Sequence, residues 1–401
     1  MFESNLEAGS AVTVKHSSPR YGSRAIRLLL VYVVVLASSI ATAPRASAFY
    51  EFARGEFLLH TRGTATYDSN VFATADAEDD ILLAFNPELQ YIRRAGRSDL
   101  SIRTGVIVGR FLDFTDEDFE NYYAEFDVGY PVAAASRFGG GVSLSYRQAT
   151  GLGETLSIRT QTDRYRATVT NTYRLNERIG LTNSLDYTRT ERVGFRTVDG
   201  IGGSLGTRYF YSENLGFTLG YRIRRATSSP VGDAESRVTI FHAVTVGADG
   251  QLTPRVTGSV SAGAQTSQVV RGTDRERVRA VVSAGLNWAA RANTRVSLDA
   301  SRDQDLSGEG RTLERTSVSV GVFQRLTPKM TGNVSAGYRL SEFSGVETDR
   351  DHAYTAGTGL SYTFTDRWVG GLDYAYTHID SERRDVKFDR HTVALSTRYT
   401  F

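Results

Sequence analysis

Leu252-Thr253-Pro254-Arg255-Val256-Thr257-Gly258-Ser259-Val260-Ser261-Ala262-Gly263 recurs as Leu326-Thr327-Pro328-Lys329-Met330-Thr331-Gly332-Asn333-Val334-Ser335-Ala336-Gly337, 74 residues later. Each copy opens on a tight turn and runs into alternating apolar and polar residues, the period of a strand with two unlike faces. Similar short turns stand at Leu175-Asn176-Glu177-Arg178, Tyr211-Ser212-Glu213-Asn214, Arg291-Ala292-Asn293 and Phe364-Thr365-Asp366-Arg367. Two less regular ones keep the beat earlier, at Ala95-Gly96-Arg97 and from Pro131 to Arg137. Turns recur about every 37 residues, so the long repeat is two units. A unit holding two alternating segments of roughly 12 residues, one tight turn and one looser polar loop is a β-hairpin. Period two excludes helical repeats, and a propeller blade would show four shorter strands.

Eight short turns separate nine hairpins, which gives eighteen strands, with sixteen the alternative. The count is even and both ends fall on the short-turn side, as bacterial membrane barrels require. Strands of this length, tilted by about 45°, rise roughly 25 to 30 Å and cross an outer-membrane hydrocarbon layer. Lipid forbids an open sheet edge, so the sheet must close. The fold class is therefore all-β, a transmembrane antiparallel up-and-down barrel. Pro87 is its local difficulty, because a proline inside a strand removes a ladder donor. A bulge or a shifted strand is the expected remedy.

Parity assigns the two faces. Val278, Ala280, Val282, Ala284, Leu286 and Trp288 share one side, against Arg277, Arg279, Ser283, Gly285 and Asn287. Leu215, Phe217, Leu219 and Tyr221 likewise oppose Gly216, Thr218, Gly220, Arg222 and Arg224. Apolar residues meet lipid and polar ones line a lumen. Aromatics gather at both strand ends: Trp288, Trp368, Tyr173, Phe323, Phe364 and Tyr399 beside short turns, and Tyr67, Tyr146, Tyr187, Tyr354 and Tyr376 near the loops. Two such belts match the two membrane interfaces.

The chain has 401 residues, 38 glycines, 7 prolines and no cysteine, which removes disulfide scaffolds, thiolate metal sites and cysteine nucleophiles. One long apolar run, Leu28 to Ala43, follows Lys15, Arg20, Arg24 and Arg27 and precedes Ala46-Ser47-Ala48. A positive flank, a short apolar stretch and a small-residue site read as a signal peptide over 1–48, leaving a barrel over 49–401. Five of the 47 Lys/Arg and two of the 45 Asp/Glu lie in that leader, so the remainder carries 42 against 43. Near-neutral charge does not indicate a nucleic-acid partner. The outer-membrane lipid is the expected surrounding. The last segment alternates too, with Val393, Leu395, Tyr399 and Phe401 on one parity, and its terminal aromatic resembles the closing strand of bacterial outer-membrane barrels.

Eighteen strands enclose room for water unless something fills it. No loop is long enough for a plug domain or a porin-type constriction loop, so a water-filled pore narrowed by side chains is expected. Fifteen arginines share lumen parity: Arg62, Arg103, Arg147, Arg164, Arg166, Arg208, Arg222, Arg224, Arg237, Arg277, Arg279, Arg295, Arg315, Arg339 and Arg398. Six acids do, at Glu88, Glu125, Asp127, Asp186, Asp299 and Asp373. The excess predicts an anion-favouring lumen, since guanidinium groups hold carboxylates and phosphates; the rival reading is a network of ion pairs that braces the wall. Acidic stretches at Asp76 to Asp80 and Asp113 to Glu120 lack the spacing of a calcium loop and read as a solvated rim. Five histidines remain outside the leader, at His60, His242, His352, His378 and His391. Asp351-His352, and His378 with Asp380, come without a nucleophile motif or metal spacing, so neither enzymatic activity nor a cofactor or metal is expected.

At Thr64-Ala65-Thr66-Tyr67-Asp68-Ser69-Asn70-Val71-Phe72 the chain resembles the first strand and loop of the beta-barrel porin type 2 family. The likeness continues through regular hairpins to Phe401, although the short motif is its specific part. It implies an outer-membrane barrel without catalytic residues. It also implies support of capsule or exopolysaccharide export, with that machinery as partner. The basic lumen, read from parity, would suit an acidic polymer, so a channel supporting polysaccharide export is the first expectation. A diffusion porin for small anions, which a long constriction loop would have favoured, is the alternative, followed by a structural or adhesive barrel without transport.

Overall fold

The structure, a computed structural model, describes residues 50–52, 54–95, 98–131, 137–152, 159–229, 236–271, 277–307, 311–343, 349–382 and 386–401. The expected leader lies outside them. After a three-residue β1 (Tyr50–Phe52) come β2 (Gly55–Asp68), β3 (Asp80–Ala95), β4 (Ser98–Phe111), β5 (Phe119–Tyr130), β6 (Phe138–Leu152) and β7 (Arg159–Arg174). Then follow β8 (Ile179–Arg192), β9 (Val198–Phe210), β10 (Leu215–Ser228), β11 (Arg237–Thr253), β12 (Val256–Arg271) and β13 (Arg277–Arg291). The sheet is completed by β14 (Thr294–Leu306), β15 (Thr312–Arg325), β16 (Met330–Phe343), β17 (Asp349–Thr365), β18 (Trp368–Ser381) and β19 (Val386–Thr400).

Each strand from β2 to β19 pairs antiparallel with its neighbours in sequence, and β19 pairs with β2. The result is a closed up-and-down barrel of eighteen strands. They run from 12 to 17 residues, longer than the sequence period alone implies. At the seam Thr400 faces His60, and the Phe401 amide donates to the Leu59 carbonyl at 2.9 Å. Beyond that point β1 folds back to cover the edge of β2 that β19 does not reach, with Tyr50 opposite Phe57.

Pro87 stays in β3 without a bulge. The ladder to β4 skips Asn86 and Pro87 but resumes in the same register, from Phe85 opposite Val108 to Glu88 opposite Gly105. The Asn86 side-chain amide donates to the Val106 carbonyl at 2.8 Å and so supplies the donor that proline lacks.

The motif at residues 67–72 clasps the loop end of the seam. Asp68, 4% exposed, pairs with Arg390 of β19, whose Nε donates at 2.8 Å. The Ser69 hydroxyl accepts the His391 amide at 2.8 Å. Asn70 is almost wholly buried; its amide nitrogen donates to the Thr74 carbonyl and its oxygen accepts the Thr74 amide. Val71 is buried outright, and Phe72 meets Phe114 edge-on at 4.9 Å. Ala73 holds a left-handed φ of 52°, a conformation that surrounding contacts must impose on a residue with a Cβ.

Breaking a buried ion pair by removing one partner costs about 3 to 5 kcal/mol. Asp68→Ala is expected to lower the unfolding free energy of the micelle-bound barrel by that order, seen as a lower urea midpoint in tryptophan fluorescence. Asp366→Ala, in a turn, should leave the midpoint in place. Equal midpoints would deny the seam clasp its role.

Candidate functional site

Side chains on strands that are not neighbours can meet only through the interior. Arg224 of β10 donates to Asp305 of β14 at 2.6 Å, which fixes the face bearing Arg224 as inward. Directly opposed residues share a face, so the registers carry this assignment around the sheet. It passes from Arg224 to Gly202, Asp186, Thr168 and onward, and returns through Ala243 to Arg222 without contradiction. Arg62, Arg103, Arg147, Arg164, Arg166, Arg208, Arg222, Arg237, Arg279, Arg295, Arg315, Arg339 and Arg398 occupy positions on that face. Arg277 takes the position opposite Ser267, also of that parity. The other face is a field of exposed aliphatics, among them Leu185, Leu205, Leu219, Val246, Val260 and Val334.

Carboxylates engage some of these arginines. Arg103 pairs with Glu125 at 3.1 Å and with Glu88 at 3.9 Å, and Arg208 with Asp249 at 2.6 Å. Arg279 pairs with Glu314 at 3.1 Å, and Arg222 donates to Gln265 at 3.4 Å. Arg62, Arg147, Arg164, Arg166, Arg295 and Arg398 are exposed and make no ion pair among the described residues. Asp249, Asp303 and Asp305 are inward acids that strand-centre parity had passed over, so six undercounts the inward carboxylates.

The loop-end third is packed, although no loop is long. Two hairpins leave the wall on one side. The β5–β6 ladder ends at Tyr123 opposite Arg147, and the β13–β14 ladder at Val282 opposite Arg302, although the strands continue beyond. Past that break Gln304 and Glu314, outward by register, are only 6% and 7% exposed. Their contacts explain why: Gln265 of β12 donates to the Gln304 carbonyl at 3.1 Å, and Glu314 takes Arg279 and Arg302. The β14–β15 tip has therefore folded inward, turning its outer side onto the inner side of β12 and β13. Its Leu306 packs on Ala226 and Phe241, against Val198.

The start of β7 behaves similarly. Arg159 pairs with Glu117 at 2.9 Å, and its guanidinium lies 4.8 Å from the Phe111 ring centre. Ala73 of the β2–β3 loop completes a third cluster with Ala353, Ile379 and Phe388. Narrowing thus comes from hairpin tips and a short loop, not from one long insertion.

The acidic stretches are partly internal rather than a solvated rim. Asp80, 4% exposed, accepts the Asp113 amide at 3.1 Å and the Phe114 amide at 3.0 Å, and Asp118 accepts the Phe111 amide at 2.8 Å. Alternation separates Asp351 from His352. Asp351 accepts the Ser381 hydroxyl on the inward face, while His352 shares a hydrogen bond with Tyr338 on the outward one. His378 meets Asp389 at 2.9 Å, not Asp380, which holds Lys387. Phe323 stands on the inward face opposite Arg295, unlike the other turn-side aromatics.

If the inward β14–β15 tip narrows the barrel, freeing it must widen the path. Asp305→Asn combined with Glu314→Gln is expected to raise single-channel conductance, because neutral amides hold Arg224, Arg279 and Arg302 more weakly than carboxylates do. An unchanged conductance would place the narrowest point elsewhere.

Residues 235–401 match the family described as Putative beta-barrel porin 2, a segment that holds β11 to β19 but not the motif at 64–72. No curated protein matches the chain. Among solved structures it is similar to Pseudomonas aeruginosa OccK3 (OpdO), at 11% identity and a TM-score of 0.46 over 86% of this chain and 95% of that one. Acinetobacter baumannii OccAB4 gives 12% identity and a TM-score of 0.49, over 87% and 99%. The FrpB iron transporter of Neisseria meningitidis (F3-3 variant) gives 8% and 0.45, over 86% and 81%. Residues 235–401 are thus similar to the Putative beta-barrel porin 2 family, and the described chain forms a closed antiparallel barrel with an apolar outer face.

Proposed function

We propose that the barrel is a narrowed diffusion channel for small anions. The observation that carries this reading is the set of exposed inward arginines, Arg62, Arg147, Arg164, Arg166, Arg295 and Arg398, with no carboxylate in ion-pair reach among the described residues. A bracing network would place an acid beside each, as at Arg103, Arg208 and Arg279. Guanidinium groups lining water raise the local concentration of anions and lower that of cations.

Export of an acidic polysaccharide would use the same charge. That reading rests on the family resemblance alone, and the packed loop-end third favours small solutes over a threading polymer. The porin character of the family agrees with a channel rather than an enzyme, and the inward residues need only attract and release their solute.

The barrel, reconstituted in a planar bilayer under a potassium chloride gradient, is expected to give a reversal potential displaced toward that of chloride. Arg147→Glu combined with Arg166→Glu should move it toward potassium. A wild-type reversal potential on the potassium side would overturn the proposal. Loss of surface polysaccharide on gene deletion, with anion uptake intact, would favour export instead.

A further inference from the structure

Arg147 and Arg164 stand directly opposite each other on β6 and β7. Arg166 is two residues further along β7 on the same face, opposite Ser145. Like charges set opposite each other weaken a sheet unless something between them is anionic. The acids that could serve are occupied or displaced. Glu125, one step away opposite Ser145, binds Arg103 at 3.1 Å, and Glu88 accepts the Tyr123 hydroxyl at 2.7 Å. Asp186 stands opposite Thr168, a step beyond Arg166, and makes no ion pair with it among the described residues. The rungs beside the three arginines carry hydroxyls, with Thr190 opposite Arg164, Thr188 opposite Arg166 and Ser145 also opposite Arg166, while the hydroxyl of Tyr123, opposite Arg147, is turned to Glu88.

Position adds to composition. Tyr123 and Arg147 form the last rung before β5 and β6 part, so the cluster lies just on the turn side of the packed loop end. An anion that has passed the narrow region meets these arginines next. Three planar donor forks flanked by hydroxyls suit a tetrahedral oxyanion with two charges better than a monatomic halide, because each fork can hold two oxygens.

We infer that Arg147, Arg164 and Arg166 form a discrete binding station for phosphate-type dianions within the channel. The inference rests on the anion-channel reading and gives it a substrate class. The free anion and a phosphate monoester present the same chemistry to this site; their size separates them at the loop-end passage.

The test uses the reconstituted full barrel carrying chloride current, titrated with inorganic phosphate at pH 8. Wild-type current is expected to fall with saturable block, and glycerol 3-phosphate added from the loop side should block equally if monoesters pass the narrow region. Arg147→Gln and Arg164→Gln should each raise the half-blocking concentration about tenfold, the worth of one charge-assisted contact. Arg295→Gln, an exposed inward arginine outside the cluster, should shift it far less than tenfold, through the general lumen charge alone. Heat-modified gel mobility verifies that each variant is folded. Chloride preference without saturable phosphate block overturns the station while keeping the anion channel. A cation preference removes both. Equal shifts in all three variants reduce the effect to general lumen charge and also overturn the station.

Discussion

A strand in hydrocarbon has no water to hydrogen-bond its amides and carbonyls, and every other feature of this barrel follows from that deficit. The sheet answers it by pairing β19 with β2, joining residues more than 300 positions apart in sequence. Closure without a parallel pair demands an even count, and eighteen strands meet it. It also demands that inward and outward parity agree after a full circuit, as the return to Arg222 shows. The weak point of such a ring is its last-formed contact. There the chain concentrates its specific side chains: the Asp68–Arg390 pair, buried Asn70 and the short β1 beyond Phe401.

Where the hydrocarbon ends, the obligation ends with it. Beyond Tyr123–Arg147 and Val282–Arg302 the backbone is free to leave its neighbour, because water or side chains can replace the lost rungs. Two hairpins use that freedom to turn inward. Burial of Leu306 with Phe241, and the charge contacts Arg224–Asp305 and Arg279–Glu314, replace the surrendered pairing. The most buried part of the molecule therefore lies inside its mouth, although the wall itself has no apolar core.

Most of the wall was legible in the sequence. Period two at Val278 to Trp288 separated the faces, and the copied turns at Leu252 and Leu326 supplied the hairpin unit, because both depend on local backbone geometry. The histidine pairings, the inward tips and the fate of the acidic stretches were not legible. Alternation states which side of its own strand a residue occupies; it says nothing of where a ladder stops or which way a tip then bends. Gln304 and Glu314 show the consequence, since their parity is outward and their burial is complete to within a few per cent. Pro87 failed differently: the rule that it breaks a rung was right, but the compensating donor came from the adjacent Asn86 side chain, which no backbone rule anticipates.

The inward charge divides along the same line. Arg224 and Arg279 hold the tip of β14–β15 against the opposing wall, and their acids are intelligible as braces. Arg147, Arg164 and Arg166 brace nothing among the described residues, for their strands are already joined by an unbroken ladder from Phe138–Tyr173 to Leu152–Arg159. A wall needs no charge at those positions: Ser143, Thr168 and Thr170 occupy equivalent inward places beside them without any. Opposing two arginines there weakens the sheet slightly in every state except one in which an anion lies between them. Stability alone would not select that arrangement, whereas transient occupancy by a passing anion makes physical sense of it.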